Sequence, residues 1–432
     1  MTAQGNPGPP PDATLRVLVA WQLGANLGHL LRMESISVAL RARGHEVIWA
    51  VPDPDDAQAK LSRGPWSMLR IPRPAARPEG RTCCYAEILA AHGFGDDDTL
   101  AEAMRDWTRL LALVKPDVMI IDHAPLALLA ARLHGVPAAH IATGWEAPPF
   151  GVTLPVLRPE MAQTRPGFVK TLESQLLSRI NRLCREQGAP ELPTLGELYR
   201  AQMTLIDGWA ETDHFAPRPD RAWFAPGDPR RKPFYVGPLF SVDAGDEPQW
   251  PSGGGPRVFV YMQPGDSTHA TLQALNAMDL QVIAAVPGIT TSGRALVSTS
   301  RCLVHDRPVR LRKILDEADL VVCHGGHGLV AASLMAGTPL VLVPSQMEQA
   351  TLAGRVVQTH AALMVEPVDF VPRFAAAVHA ALSDPRFRAA AQRISQKYRG
   401  FDPDIAVKRV AATIEDMGWC LTPRHAVDAV TQ

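Results

Sequence analysis

Short apolar runs alternate with amphipathic stretches along this chain, and the alternation occurs twice. One set of runs covers 15–20, 47–51, 118–121 and 138–141; a second covers 258–262, 282–286, 320–323 and 340–343. Each run is nearly continuous and rich in branched residues, as parallel strands are when both faces are covered. Between two of them, Leu30, Met33, Ile36 and Leu40 recur at helical spacing, and Gly44 follows as a stop. Strand, helix, strand, repeated in both halves, predicts an α/β chain of two doubly wound domains facing each other across a cleft. Such sheets bind ligands beyond the carboxyl ends of their strands.

The boundary between the halves is expected at 241–256 (SVDAGDEPQWPSGGGP), which mixes proline, acidic residues and a glycine triplet without periodicity. This gives a disordered tail at 1–13, a first domain at 14–240 and the linker. A second domain follows at 257–395, then C-terminal helices at 396–432 that could cross back to the first domain. A length of 432 residues fits two to four domains of about 100–200 residues. With 46% apolar and 20% charged residues, disorder is not the main state. Lys and Arg total 43 and Asp and Glu total 44, for a net charge of −1, so a dedicated nucleic-acid binder is not expected.

The six cysteines form no C-x-x-C, which argues against a zinc ribbon or disulfide scaffold and fits a reducing cytoplasm. The first twelve residues lack the basic start and apolar core of a secretory signal. The run 320–347 has no charged residue and exceeds the roughly 20 residues of a spanning helix, but its glycines and prolines divide it into strand, loop, helix and strand. No transmembrane segment is expected, and peripheral membrane contact stays open.

The strongest motif is CHGGHGLVAASLMAGTPLVLVPSQMEQ, which begins at Cys323. Glycines between a strand and a helix let backbone N–H groups approach a phosphate. The helix N-terminus adds roughly half a positive charge. His324 can donate to the same anion, and Glu348 and Gln349 at the next strand end suit sugar hydroxyls. His324 and His327 could suggest a metal, but the glycines between them fit phosphate better. G-x-S-x-G, a Walker A loop and G-x-G-x-x-G after the first strand are absent.

A second motif, GANLGH, carries the first apolar run into a helix and leaves His29 at the helix start. An imidazole there can take a proton from a hydroxyl, or be an ordinary satisfied histidine. Asp122, closing the run 118–121, can hold the other ring nitrogen of His29 or cap the following helix.

Taken together, these pieces resemble the bacterial branch of the nucleotide-sugar glycosyltransferases with the GT-B fold. That group includes macrolide and rhamnolipid glycosyltransferases and the plant UDP-glycosyltransferases. The resemblance rests on GANLGH…RARGHEV (24–47), PDVMIID (116–122), HGGHG…AGTPLVLVP…EQ (324–349) and LSDPRFRAAA (382–391), while 147–233 matches little. It implies two Rossmann-like domains and an inverting transfer of a hexose from a UDP- or dTDP-sugar. The acceptor would be a small hydroxylated or lipid-like molecule. His29 would be the general base and Asp122 its partner. His324, Gly325, Gly326 and Gly328 would hold the pyrophosphate, and Glu348 and Gln349 the sugar. Gly265, Ser267 and Thr268 would reach phosphate or sugar. Pro308 and Val309 in the turn VHDRPV would line the base. No metal or other cofactor is implied, the nucleotide sugar being a co-substrate.

The chain departs from the family pattern at four positions. Arg32 stands where proline is frequent, Leu329 where Ser or Thr is, Ala332 where plant members have Glu, and Val309 where they have Gln. Arg32 is expected as a solvated helix arginine, or as a positive charge near an anionic acceptor. Trp145, Phe150, Trp209 and Phe215 are expected as core or as an acceptor pocket. A nucleotide-sugar epimerase and a non-catalytic nucleotide-sugar-binding protein share the same plan and stand as alternatives.

Overall fold

The computed structural model describes residues 13–23, 27–71, 82–149, 153–216, 234–239, 245–366 and 370–421. Residues 1–12 of the expected tail, 24–26 of the GANLGH motif, Phe150 and 241–244 of the linker lie outside the described residues. The chain forms two compact units. The first comprises Met1–Asp207, Pro217–Leu239 and Asp404–Gln432, and the second comprises Gly208–Ala216 and Phe240–Pro403.

The first unit is built on a seven-stranded sheet: β1 (Arg16–Trp21), β2 (Glu46–Val51), β3 (Ser67–Arg70), β4 (Val118–Asp122), β5 (Ala138–Ala142), β6 (Met203–Asp207) and β7 (Phe234–Gly237). The order is β3-β2-β1-β4-β5-β6-β7 and neighbours pair parallel. β4 and β5 are buried along their whole length, which is why their sequences are continuous apolar runs. The chain leaves β1 toward β2 and β3, then returns on β1's other flank as β4. The β1/β4 boundary is therefore the switch point where such sheets place ligands. There the register sets Trp21 opposite Asp122.

The helix Leu27–Ala42 follows β1 and buries Leu30, Met33, Ile36 and Leu40, the stripe its spacing predicts. Its inner face also buries His29, Arg32 and Glu34, so the face toward the sheet is not purely apolar. Gly44, at φ 91, ends the turn that leads into β2. The helix Pro403–Leu421 packs in the first unit: Glu415 pairs with Arg43 and His45, and Gly418 lies so close to Leu15 that an added Cβ would sit 2.7 Å from it.

The second unit carries six parallel strands: β8 (Arg257–Tyr261), β9 (Gln281–Ala285), β10 (Cys302–His305), β11 (Leu320–Cys323), β12 (Leu340–Leu342) and β13 (Ala362–Met364). Their order is β10-β9-β8-β11-β12-β13, with the switch point between β8 and β11. The uncharged run 320–347 becomes β11, the helix His327–Ala336 and β12, and among the described residues no helix is long and apolar enough to cross a membrane.

Residues 208–216, expected in the first domain, group with the second unit. Trp209 stacks on Tyr398 at 4.1 Å, and Glu211 holds Lys397 and the Tyr398 hydroxyl. Trp209 is thereby buried within the second unit. Trp145 is buried against Tyr85, whose hydroxyl donates to the Trp145 carbonyl.

Candidate functional site

In the first unit, His29, Arg32, Asp122, Glu146 and Asp207 meet at the carboxyl edge of the sheet. His29 lies in the first turn after β1 and Asp122 is the last residue of β4. Nδ1 of His29 is 3.1 Å from both carboxylate oxygens of the fully buried Asp122, so the imidazole donates there and leaves Nε2 for a reactant. The ring is stacked against Trp21 and His123, with centroids at 6.0 and 5.7 Å. His123 itself has φ 45, and its carbonyl accepts from the Leu23 amide, which ties the loop after β1 to the end of β4.

Arg32 follows His29 by three residues on the same helix face. It is not solvated. Its Nη2 donates to both oxygens of Asp122 at 2.8 and 2.7 Å, and its Nη1 donates to Asp207 at 2.7 Å. Only 3% of the residue is exposed. The expectation of a solvated arginine is overturned, and the two buried carboxylates that take its charge weigh against a role beside an anionic acceptor. Asp207 ends β6, and its second oxygen accepts from the Leu239 amide at 2.8 Å.

Glu146 lies just beyond β5. Its Oε2 accepts from the amide and hydroxyl of Thr143 at 2.7 and 2.6 Å, while its Oε1 stands 3.9 Å from Nε2 of His29. Burial by itself would depress the His29 pKa. The charge and hydrogen bond of Asp122, then the charge of Glu146, outweigh it and hold His29 above its ordinary 6.5. Burial, helped by the charge of His29 and against the pull of Glu146, pushes His123 down to about 4, so that ring stays neutral. Glu146 is held below the usual carboxylate range: burial opposes this, but His29 and Arg32 prevail.

His29, His123 and Glu146 bring ligand atoms within 4.8 Å of one another. The 3.9 Å separation of His29 and Glu146 exceeds the roughly 3.4 Å between ligands about 2.1 Å from a tetrahedral zinc. It suits a cluster with room for a reacting atom better than a closed metal site. Cys83, Cys84 and Glu87 also converge, but there the carboxylate is engaged in accepting both cysteine amides at a helix start.

In the second unit, the segment after β11 forms the expected strand-to-helix turn. His324 donates from Nδ1 to the Val343 carbonyl at 2.9 Å, which fixes the ring and leaves Nε2 for a ligand. Gly325 has φ 92, and a Cβ there would lie 3.4 Å from the Gln349 carbonyl. Gly326 is the N-cap of His327–Ala336. No side chain caps this helix and its first turn holds no acidic residue, so the amide end that includes Gly328 is electropositive. Leu329 and Ala332 are buried in the apolar core, so neither position offers a polar contact.

Glu348 and Gln349 open the helix Met347–Val357. The side-chain Oε1 of Gln349 accepts from the amide and hydroxyl of Ser345, both at 3.0 Å, which leaves its Nε2 for other chemistry. Glu348 receives a 2.9 Å hydrogen bond from Nε2 of His214, whose side chain is fully buried. The same segment reaches the turn before the helix: Thr212 contacts His327 at 3.3 Å, and a Cβ on Gly208 would come within 2.6 Å of that imidazole.

The weaker expectations fare less well. Thr268 is buried and its hydroxyl donates to the Gln263 carbonyl at 2.5 Å, so it is not free for phosphate. Gly265 is exposed at the N-cap of Asp266–Asn276, next to the partly exposed Ser267. Val309 turns its side chain into the core and the Pro308 carbonyl accepts from the Asp246 amide, while the Pro308 ring stays exposed at the turn.

Sequence reasoning missed Glu146, Asp207 and His214. One signal was present: Asp207 closes the run MTLID as Asp122 closes VMIID.

Residues 269–410 match the family model described as erythromycin biosynthesis protein CIII-like, C-terminal domain. The chain is 26% identical to 4'-demethylrebeccamycin synthase of Lentzea aerocolonigenes, over 90% of this chain and 96% of that protein. Its fold matches the calicheamicin glycosyltransferase CalG4 with a TM-score of 0.68 at 19% identity, over 95% of this chain and 100% of that one. It also matches the spinosyn rhamnosyltransferase SpnG complexed with thymidine diphosphate, with a TM-score of 0.61 at 19% identity, over 92% of this chain and 99% of that one. With that C-terminal domain and two parallel-sheet units, the chain has the GT-B fold and is similar along its length to proteins named as glycosyltransferases.

Proposed function

We propose that this enzyme transfers a hexose, with inversion, from a UDP- or dTDP-sugar to a hydroxyl of a small-molecule or lipid-like acceptor. The observation that carries the reading is the His29–Asp122 pair at 3.1 Å, which leaves Nε2 of His29 as a proton acceptor. In this mechanism the acceptor O–H gives its proton to Nε2. The oxygen attacks the anomeric carbon as the bond to the leaving diphosphate breaks, and Asp122 offsets the charge gained by the imidazole. Attack opposite the leaving group inverts the anomeric centre.

His324 and the uncapped helix start after Gly326 would stabilise negative charge on the departing nucleoside diphosphate, a task for which other enzymes use a cation. Glu348, steadied by His214, would take the donor's sugar hydroxyls, with the amide of Gln349 beside it. The thymidine diphosphate complex of SpnG makes the dTDP series the first to try.

The test is proton NMR of the product formed from an α-linked dTDP- or UDP-hexose. A β-linked glycoside supports the reading. An α-linked product, or an altered nucleotide sugar formed with no acceptor, rejects it.

A further inference from the structure

We infer that Glu146 is a second catalytic carboxylate, and that it selects acceptors carrying two neighbouring hydrogen-bond donors. The inference rests on the proposed role of His29 and extends it to the acceptor.

Nδ1 of His29 is committed to Asp122, so the reacting atom must approach Nε2. Oε1 of Glu146 stands 3.9 Å from that nitrogen, in a cluster that also brings in His123, and among the described residues it accepts no hydrogen bond; the sister oxygen is anchored by Thr143. An oxygen at hydrogen-bonding distance from both, about 2.8 Å from each, fits between them. A lone hydroxyl has a single proton, and it goes to the base. Glu146, an acceptor while ionised, would then face lone pairs unless the acceptor brings a second N–H or O–H. A vicinal diol or catechol satisfies both groups, whereas a hydroxyl flanked by an ether leaves a buried carboxylate unpaired. Sites built around a hydrogen bond reject the analogue that lacks it far more strongly than they reject a missing methylene.

The charge around the base points the same way. Asp122, Asp207 and Glu146 surround one guanidinium, that of Arg32, while His123 and His140 are pushed down to about 4 by burial and stay neutral. Even with His29 protonated the cluster is negative overall. It therefore disfavours a carboxylate beside the reacting group and favours a donor-rich one.

The test uses the full chain with Glu146→Gln and Glu146→Ala, folding being checked by circular dichroism. Catechol is compared with 2-methoxyphenol as acceptor, using the nucleotide sugar that stabilises the wild type. The inference expects catechol to be used at least tenfold better by kcat/KM, and Glu146→Gln to bring the ratio within about threefold. Equal use of both phenols by the wild type, or a preference that Glu146→Gln leaves intact, overturns it.

A readout independent of turnover is the NMR titration of the His29 ring, assigned with His29→Ala. Removing the Glu146 charge lowers the midpoint by about one pH unit, and an unchanged midpoint overturns the inference even if neither phenol is a substrate. If His29→Ala itself retains transfer, the reading of His29 fails instead, and the two failures are distinct.

Discussion

Nδ1 of His29 and the carboxylate of Asp122 meet at 3.1 Å although 93 residues separate them in the chain. The meeting follows from topology. One residue opens the helix after β1, the other closes β4, and these strands are neighbours at the sheet's switch point. Asp122 is shared: Arg32 donates to the same two oxygens. The sharing makes three side chains interdependent and gives the first two predictions.

Asp122→Asn should leave the fold intact but lower kcat by about 10²–10⁴-fold, because the amide can hold the wrong tautomer of His29 and carries no charge to balance the imidazolium. Donor affinity, which the proposed mechanism sets in the second unit, should change by less than about twofold. Steady-state kinetics with a donor titration checks both.

Arg32→Ala should cost about 3–5 kcal/mol of stability by leaving Asp122 and Asp207 as buried charges without their cation. Arg32→Lys restores the charge but not the fork that reaches both carboxylates, and should fall between. Urea melts of the three proteins measure this.

The pH dependence has a definite sign. Burial opposes protonation of His29, but Asp122 and Glu146 prevail and hold it above 6.5. As the proposed base, His29 works unprotonated, so kcat/KM should rise with pH and level off only above that value. Asp122→Asn should move the rise to lower pH. For stability the sign is opposite: the folded state favours the protonated ring. Its contribution is complete below about pH 6.5 and fades as pH rises through the raised folded value.

His214→Ala should raise the KM for the nucleotide sugar several-fold while leaving the affinity for the free nucleoside diphosphate unchanged, since His214 steadies Glu348 and not the phosphate turn. Isothermal titration with the diphosphate alone, next to kinetics with the sugar, separates the two. In contrast, Gly325→Ala should weaken both. It forces a side chain into φ 92, at about 1–2 kcal/mol, beside the Gln349 carbonyl.

The central strands were legible because strands covered on both faces must be continuous apolar runs, and β1, β2, β4 and β5 read that way. β3 was not, because SMLR is a short edge strand with only partial burial. β13 spans only Ala362–Met364. His324 and Gly325 stood out because a glycine turn before a helix is a local pattern. Glu146 and Asp207 were not seen, since they join the site only through the lateral order of β4, β5 and β6, which no local spacing encodes. Arg32 was misjudged as solvated because a charge on a helix usually faces water, and only the two carboxylates at the sheet edge reverse that.

The most direct test of the account compares wild type and His29→Ala in single-turnover transfer at saturating donor, with the nucleotide-induced rise in Tm measured on both proteins. The account predicts transfer at least 100-fold slower in the variant, with an unchanged rise in Tm. Transfer at a comparable rate in His29→Ala would contradict it.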